Sequence, residues 1–178
     1  MKKFGALITN AAMIALSVFM FVFMSQPYFT FKILGQETAN NGYYFVENIS
    51  TDKLTDDGKL VAAATLVLII VASLLIVFAL LNLLSSFNVI KSKQVAKILS
   101  LLTVLLALVA VVVSICALTG AANIGKKTSG NIGDFKFTEG SAGWGVILNL
   151  ILSIAAFIVA LFDTLIAFKS SKTKKRRK

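Results

Sequence analysis

The chain has 178 residues, of which 57% are hydrophobic and one is proline, and its 18 basic and 8 acidic side chains leave a formal net charge of +10 with no histidine. So little polar surface cannot solvate a water-soluble globule of this size, which leaves the bilayer as the solvent for most side chains. The length accommodates one four-helix domain with its loops and excludes a separate enzymatic domain beside it.

The first apolar run, residues 4–24, follows Lys2 and Lys3. Its length matches the roughly 20 residues of a transmembrane helix and exceeds the roughly 7–15 of a secretory signal's apolar core. Phe23-Met24-Ser25 is a poor match to the small-x-small cleavage rule, so this run is expected to stay as a span.

The connection 25–59 is far longer than a helical hairpin needs, and such loops are usually structured or functional. Tyr28-Phe29-Thr30-Phe31-Lys32-Ile33 alternates with period two. After a turn at Asn40-Asn41-Gly42 comes the aromatic and β-branched stretch Tyr43–Ile49. The pattern predicts two antiparallel strands. Asp56-Asp57-Gly58, just before the second run, suits helix capping better than phosphate chemistry, for it lacks the further aspartates of a phosphate-transfer motif. Asn48-Ile49-Ser50 has the form of a glycan acceptor only in a eukaryotic host and reads as a chance match.

Runs 60–84, 98–120 and 144–168 predict three more spans. Small residues recur along them: Ser100, Thr103, Ala107, Ala110, Ser114 and Ala117 in the third, and Gly145, Asn149, Ser153, Ala156, Ala160, Asp163 and Ala167 in the fourth. Thr65, Ala72, Ala79 and Ser86 hold one heptad position in the second, and Ala6, Asn10, Met13 and Ser17 form a weaker stripe in the first. Such seams let helix backbones approach closely, and the fold class expected is an all-α membrane protein, a four-transmembrane-helix antiparallel bundle. The connection 121–143 contains the alternating segment Asn131–Thr138, which would add a strand to the first loop's pair and complete a small extracytoplasmic β-sheet cap. Phe29, Phe31, Tyr43, Tyr44, Phe45, Phe135 and Phe137 are the aromatic residues of that cap, either packed on the helix ends or presented to a protein partner.

Charge sets the orientation. Lys2 and Lys3, then Lys91, Lys93 and Lys97, and the tail 169–178 hold 12 of the 18 basic residues in segments without an acid. The connections 25–59 and 121–143 hold the other six against seven acids. The positive-inside rule puts both termini in the cytoplasm. Lys174, Lys175, Arg176, Arg177 and Lys178 form a polybasic segment suited to the anionic inner leaflet of the lipid bilayer, with no specific nucleic-acid signature. Asp163 is the one acid inside a predicted span, and burial of a carboxylate there demands a partner. Asn10, Asn82, Ser100 and Thr103 fall at similar depth, with the loop lysines in reach. The layer is expected either to clasp the helices or to hold a proton or cation. Cys116, deep in the third run, reads as a packing residue.

The layout resembles the claudin-like tetraspan group in outline: four helices, cytoplasmic ends, a long first outer loop and a shorter second one. The paired cysteines and tryptophan motif of the claudin first loop are absent, and so are tetraspanin cysteine motifs. With its lysine-rich start and a loop opening Gln26-Pro27-Tyr28-Phe29, the sequence is more similar to small four-span proteins of bacterial envelopes. That resemblance implies a cell-membrane location and this shape, not an activity. Without histidine, a cysteine pair or a Gly-rich phosphate loop, no enzymatic site or cofactor is expected. The reading is a non-catalytic scaffold or accessory subunit that binds another membrane or envelope protein, or itself, through the cap or helix seams. The alternative is a small transporter or channel using the layer around Asp163.

Overall fold

A computed structural model of the chain describes residues 2–33, 36–87, 92–132 and 135–175, with the backbone alone in 2–3, 93, 130–132, 135–138, 167 and 169–175. Four long helices, α1 (Lys2–Met24), α3 (Asp56–Ser86), α4 (Lys93–Thr128) and α5 (Trp144–Lys175), are each long and apolar enough to cross a membrane. Between α1 and α3 lie β1 (Pro27–Ile33), β2 (Gln36–Asn41) and the short helix α2 (Gly42–Glu47), and between α4 and α5 lie β3 (Gly130–Ile132) and β4 (Phe135–Ala142).

The helix starts carry their own caps. Thr55 accepts the Gly58 N–H through its hydroxyl (3.3 Å), and Asp56 and Asp57 in the first turn of α3 complement the helix dipole. Ser92 does the same for the Val95 N–H at the start of α4 (3.4 Å). At the far end α4 runs eight residues past Gly120, because nothing in Ala121–Thr128 breaks a helix and Lys126 and Lys127 suit its last turn.

On α4 and α5 large apolar side chains cover the outside and mostly small ones fill the inside, whereas α1 and α3 also bury Met13, Met20, Leu68 and Leu75. On α4, Leu105, Val112 and Ile115 are exposed while Ala107, Ala110, Ser114 and Ala117 are buried. On α5, Ile151, Ile158, Phe162 and Leu165 are exposed against buried Ser153, Ala156 and Ala160. In lipid, where Leu gains nothing by hiding, close backbone approach along small residues is what holds helices together. Gly120 marks one such approach: a Cβ there would meet Val61 Cγ2 at 2.8 Å.

Two compact units make up the described chain. One, the Asp163 unit, comprises Met1–Phe19, Val71–Val111 and Leu152–Lys178; the other, the sheet unit, comprises Met20–Ile70 and Val112–Ile151. In the sheet unit an antiparallel sheet has the order β2-β1-β4-β3. β1 lies inside the sheet, paired from Phe29↔Asn40 to Ile33↔Gln36 on one side and from Phe29↔Ala142 to Ile33↔Thr138 on the other.

Three expectations for this sheet need correction. The second strand is the polar Gln36–Asn41, whereas the aromatic stretch after it opens as helix α2. Local capping outweighs β propensity there. Asn41 is the N-cap, its side chain accepting the Tyr44 N–H (2.8 Å), and Asn48 closes the helix with its amide on Tyr44 O (2.9 Å). Gly42 fits because a Cβ would meet the Tyr28 ring at 3.0 Å and Met24 O at 3.1 Å. Asn131–Thr138 is likewise two short strands, β3 and β4, in place of one. Period-two burial also fails at the head of β1, where Tyr28 and Phe29 are both buried. A register irregularity between Pro27 and Phe29 lets consecutive side chains turn inward.

Candidate functional site

Buried polarity in the Asp163 unit gathers at one carboxylate. Asp163, 9% exposed, lies in the interior of α5. Its Oδ1 accepts from Thr9 Oγ1 at 2.7 Å and from Asn10 Nδ2 at 3.4 Å, both on α1, and its Oδ2 accepts from Ser100 Oγ on α4 at 3.2 Å. Two of these donors have a second acceptor on their own helix, the Ala6 carbonyl, at 3.2 Å from Thr9 Oγ1 and 2.7 Å from Asn10 Nδ2. Thr164, one residue beyond, places its hydroxyl 3.0 Å from Ala160 O and 3.3 Å from Ser100 O. Among the described residues no basic side chain bonds to Asp163. Lys97, one of the lysines expected to reach it, holds its ammonium 5.4 Å over the Phe168 ring, while Lys91 and the Lys93 side chain lie outside the description.

The five residues expected in one layer therefore divide. Asn10 and Ser100 meet Asp163. Asn82 Nδ2 instead approaches Thr103 Oγ1 (3.4 Å), whose own proton goes to Leu99 O (2.8 Å), joining α3 to α4. Thr9 is the member that sequence reasoning missed. It lies one turn from Gly5, where an added Cβ would stand 3.5 Å from Ile166 Cδ1 on α5, so the structure and not the sequence shows that this face of α1 meets α5.

In the sheet unit Tyr28 is fully buried, and its hydroxyl accepts from Asn149 Nδ2 at 2.5 Å. Burial pushes the phenol well above its ordinary pKa, since the phenolate would be desolvated, and the Asn149 amide offsets only part of this. At the head of α3, Asp57 binds Lys127 Nζ (2.5 Å) and Asn123 Nδ2 (3.5 Å) from the last turns of α4.

The cap aromatics are largely consumed by packing. Phe29 and Phe45 are buried, Phe31 is half-buried and stacked on Phe29 with centroids 6.4 Å apart, and Tyr44 sits edge-on to Phe45 at 5.7 Å. Tyr43 is half-buried, with its hydroxyl donating to Phe21 O at 3.2 Å. Phe135 and Phe137 belong to β4, with side chains outside the description. Among the described side chains the edge strand β2 is open, with Gln36, Glu37, Thr38 and Ala39 exposed and Glu37 paired with Lys32 at 3.3 Å. Trp144, half exposed at the start of α5, stands edge-on to Phe23. Lys174 and Lys175 end α5, and Arg176, Arg177 and Lys178 lie outside the described residues. No family model matches the chain, and no curated protein matches it.

Proposed function

We propose that the chain is a multi-pass integral membrane protein of the cell membrane with both termini in the cytoplasm. Its role in this reading is non-catalytic, as a scaffold or accessory subunit for another membrane or envelope protein. One observation carries this reading: several polar side chains inside the long apolar helices bond to a neighbouring helix, Thr9, Asn10 and Ser100 to Asp163 and Asn82 to Thr103, while Thr65 turns to its own helix. Polarity used in this way fastens helix to helix, whereas a conducting pore would present it to a common lumen.

The charge split supports the orientation, with 12 of the 18 basic residues in the segments assigned to the cytoplasm. The polybasic end of the chain then meets anionic lipid, at roughly 1 kcal/mol per basic residue near the surface. With the small seams, Phe29 and Phe45 buried, the exposed β2 edge is the surface this reading assigns to a partner, since an edge strand offers unpaired backbone groups to strand addition.

Photo-crosslinking in native membranes tests the assignment. A photoreactive side chain at Thr38 on β2 is expected to give one discrete protein adduct, and the same probe at the exposed Ser50 none. No adduct from Thr38 in correctly inserted protein contradicts the partner-binding role.

A further inference from the structure

We propose that Asp163, Thr9 and Ser100 form a binding site for a single small monovalent cation, Na+ in the first instance, with Asn10 bracing the carboxylate. This goes beyond the scaffold role and does not depend on it.

The argument starts from charge. Hydrogen bonds from two hydroxyls and an amide reach the two oxygens of Asp163, and all three donors are neutral, so none of these partners supplies a positive charge. An ionised carboxylate taken out of water is costly unless it is paired, and in an apolar helix its usual resolution is an opposite charge. The oxygens around it can supply the rest of a hard-cation site, because Thr9 Oγ1 and Ser100 Oγ each carry two lone pairs and a proton that rotates freely.

Thr9 shows how little must change. Its one hydroxyl proton has two acceptors within reach, Asp163 Oδ1 at 2.7 Å and Ala6 O at 3.2 Å. Turning the proton to Ala6 O frees a lone pair toward the carboxylate without moving the backbone. Asn10 Nδ2 keeps its 2.7 Å bond to the same carbonyl and holds this turn of α1 in place. The ligands come from three helices, α1, α4 and α5, and Ala160, about one turn before Asp163 on α5, is buried.

Ligand count decides the valence. One carboxylate cancels one positive charge, while divalent ions are held by several carboxylates or keep much of their water. Among the described residues no group of three His, Cys, Asp or Glu side chains is placed to hold a metal ion.

The test uses the full chain in mild detergent, with thermal unfolding followed in NaCl against N-methylglucamine chloride at equal ionic strength. Saturable stabilisation by Na+ and equilibrium binding of one radioactive sodium ion per chain are expected. Asp163→Asn should abolish both, and should be at least as stable as the unmodified chain in N-methylglucamine, because it has no charge left to compensate. Thr9→Val, which keeps side-chain shape and removes one oxygen, should fold normally and weaken sodium binding by about tenfold or more. Equal stability in the two salts overturns the proposal, as does a sodium response that survives Asp163→Asn or sodium binding unchanged in Thr9→Val.

Discussion

In the sheet unit the buried phenol of Tyr28 meets the Asn149 amide, and the carboxylate of Asp57 meets the ammonium of Lys127. In the Asp163 unit a carboxylate is met by two hydroxyls and an amide. The first unit keeps its fully buried polar groups neutral and places its charge pair at helix ends, where the Lys127 side chain is 69% exposed and water screens the interaction. The second places a carboxyl group in an apolar interior and surrounds it with neutral donors. Polar neutral pairs lock a packing arrangement, whereas a carboxyl group whose described partners are all neutral leaves the opposite charge for a bound cation to supply. That difference is why the Asp163 unit, and not the cap, carries the ligand proposal.

Removing the centre of the cluster should break the comparison most visibly. Asp163→Leu strands Thr9 and Ser100 against an apolar side chain, and an unsatisfied buried donor costs about 1–3 kcal/mol. Although Thr9 and Asn10 keep Ala6 O as an acceptor, the loss of contacts from two other helices is expected to total about 3 kcal/mol in detergent unfolding. Asp163→Leu as stable as the unmodified chain would mean that the cluster fastens nothing.

Tyr28→Phe makes the matching change in the sheet unit and should cost less, about 1–2 kcal/mol, since it deletes one neutral hydrogen bond and leaves the ring packed. The pH response gives its signature. Tyr28 keeps its proton in the folded state to a higher pH than in the unfolded chain, so the unfolded state binds fewer protons once pH passes the ordinary phenol value of 10.0. The stability this burial contributes is present below that pH and falls as pH rises above it. Comparing alkaline unfolding of Tyr28→Phe with that of the unmodified chain isolates the contribution. Equal alkaline loss in both would assign it to other groups.

These two sites differ also in how far the sequence announced them. Asp163 stood out as the lone acid in an apolar run, and Asn10 and Ser100 followed from helix direction and depth. Thr9 did not, because which face of α1 meets α5 depends on packing that no single span encodes. The four long helices were legible for a simple reason: some 20 consecutive apolar residues have few other fates. Their ends were less so, as Ala121–Thr128 shows, since a helix leaving the apolar region continues until a cap stops it. β2 was hidden because Gln36–Asn41 carries no hydrophobic alternation and is a strand only through its pairing with β1. Helix α2 was masked by the opposite effect, a run of strand-favouring aromatics overruled by the side chain of Asn41.

Orientation across the bilayer is the claim on which the rest of the functional reading stands, and cysteine labelling in intact cells measures it directly. With Cys116 replaced by serine, single cysteines at Thr38 and Lys126 are expected to react with a membrane-impermeant reagent from outside. Those at Ser92 and Thr173 should react only after permeabilisation. Labelling of Ser92 and Thr173 in intact cells with protection of Thr38 and Lys126 would invert the topology and contradict the account.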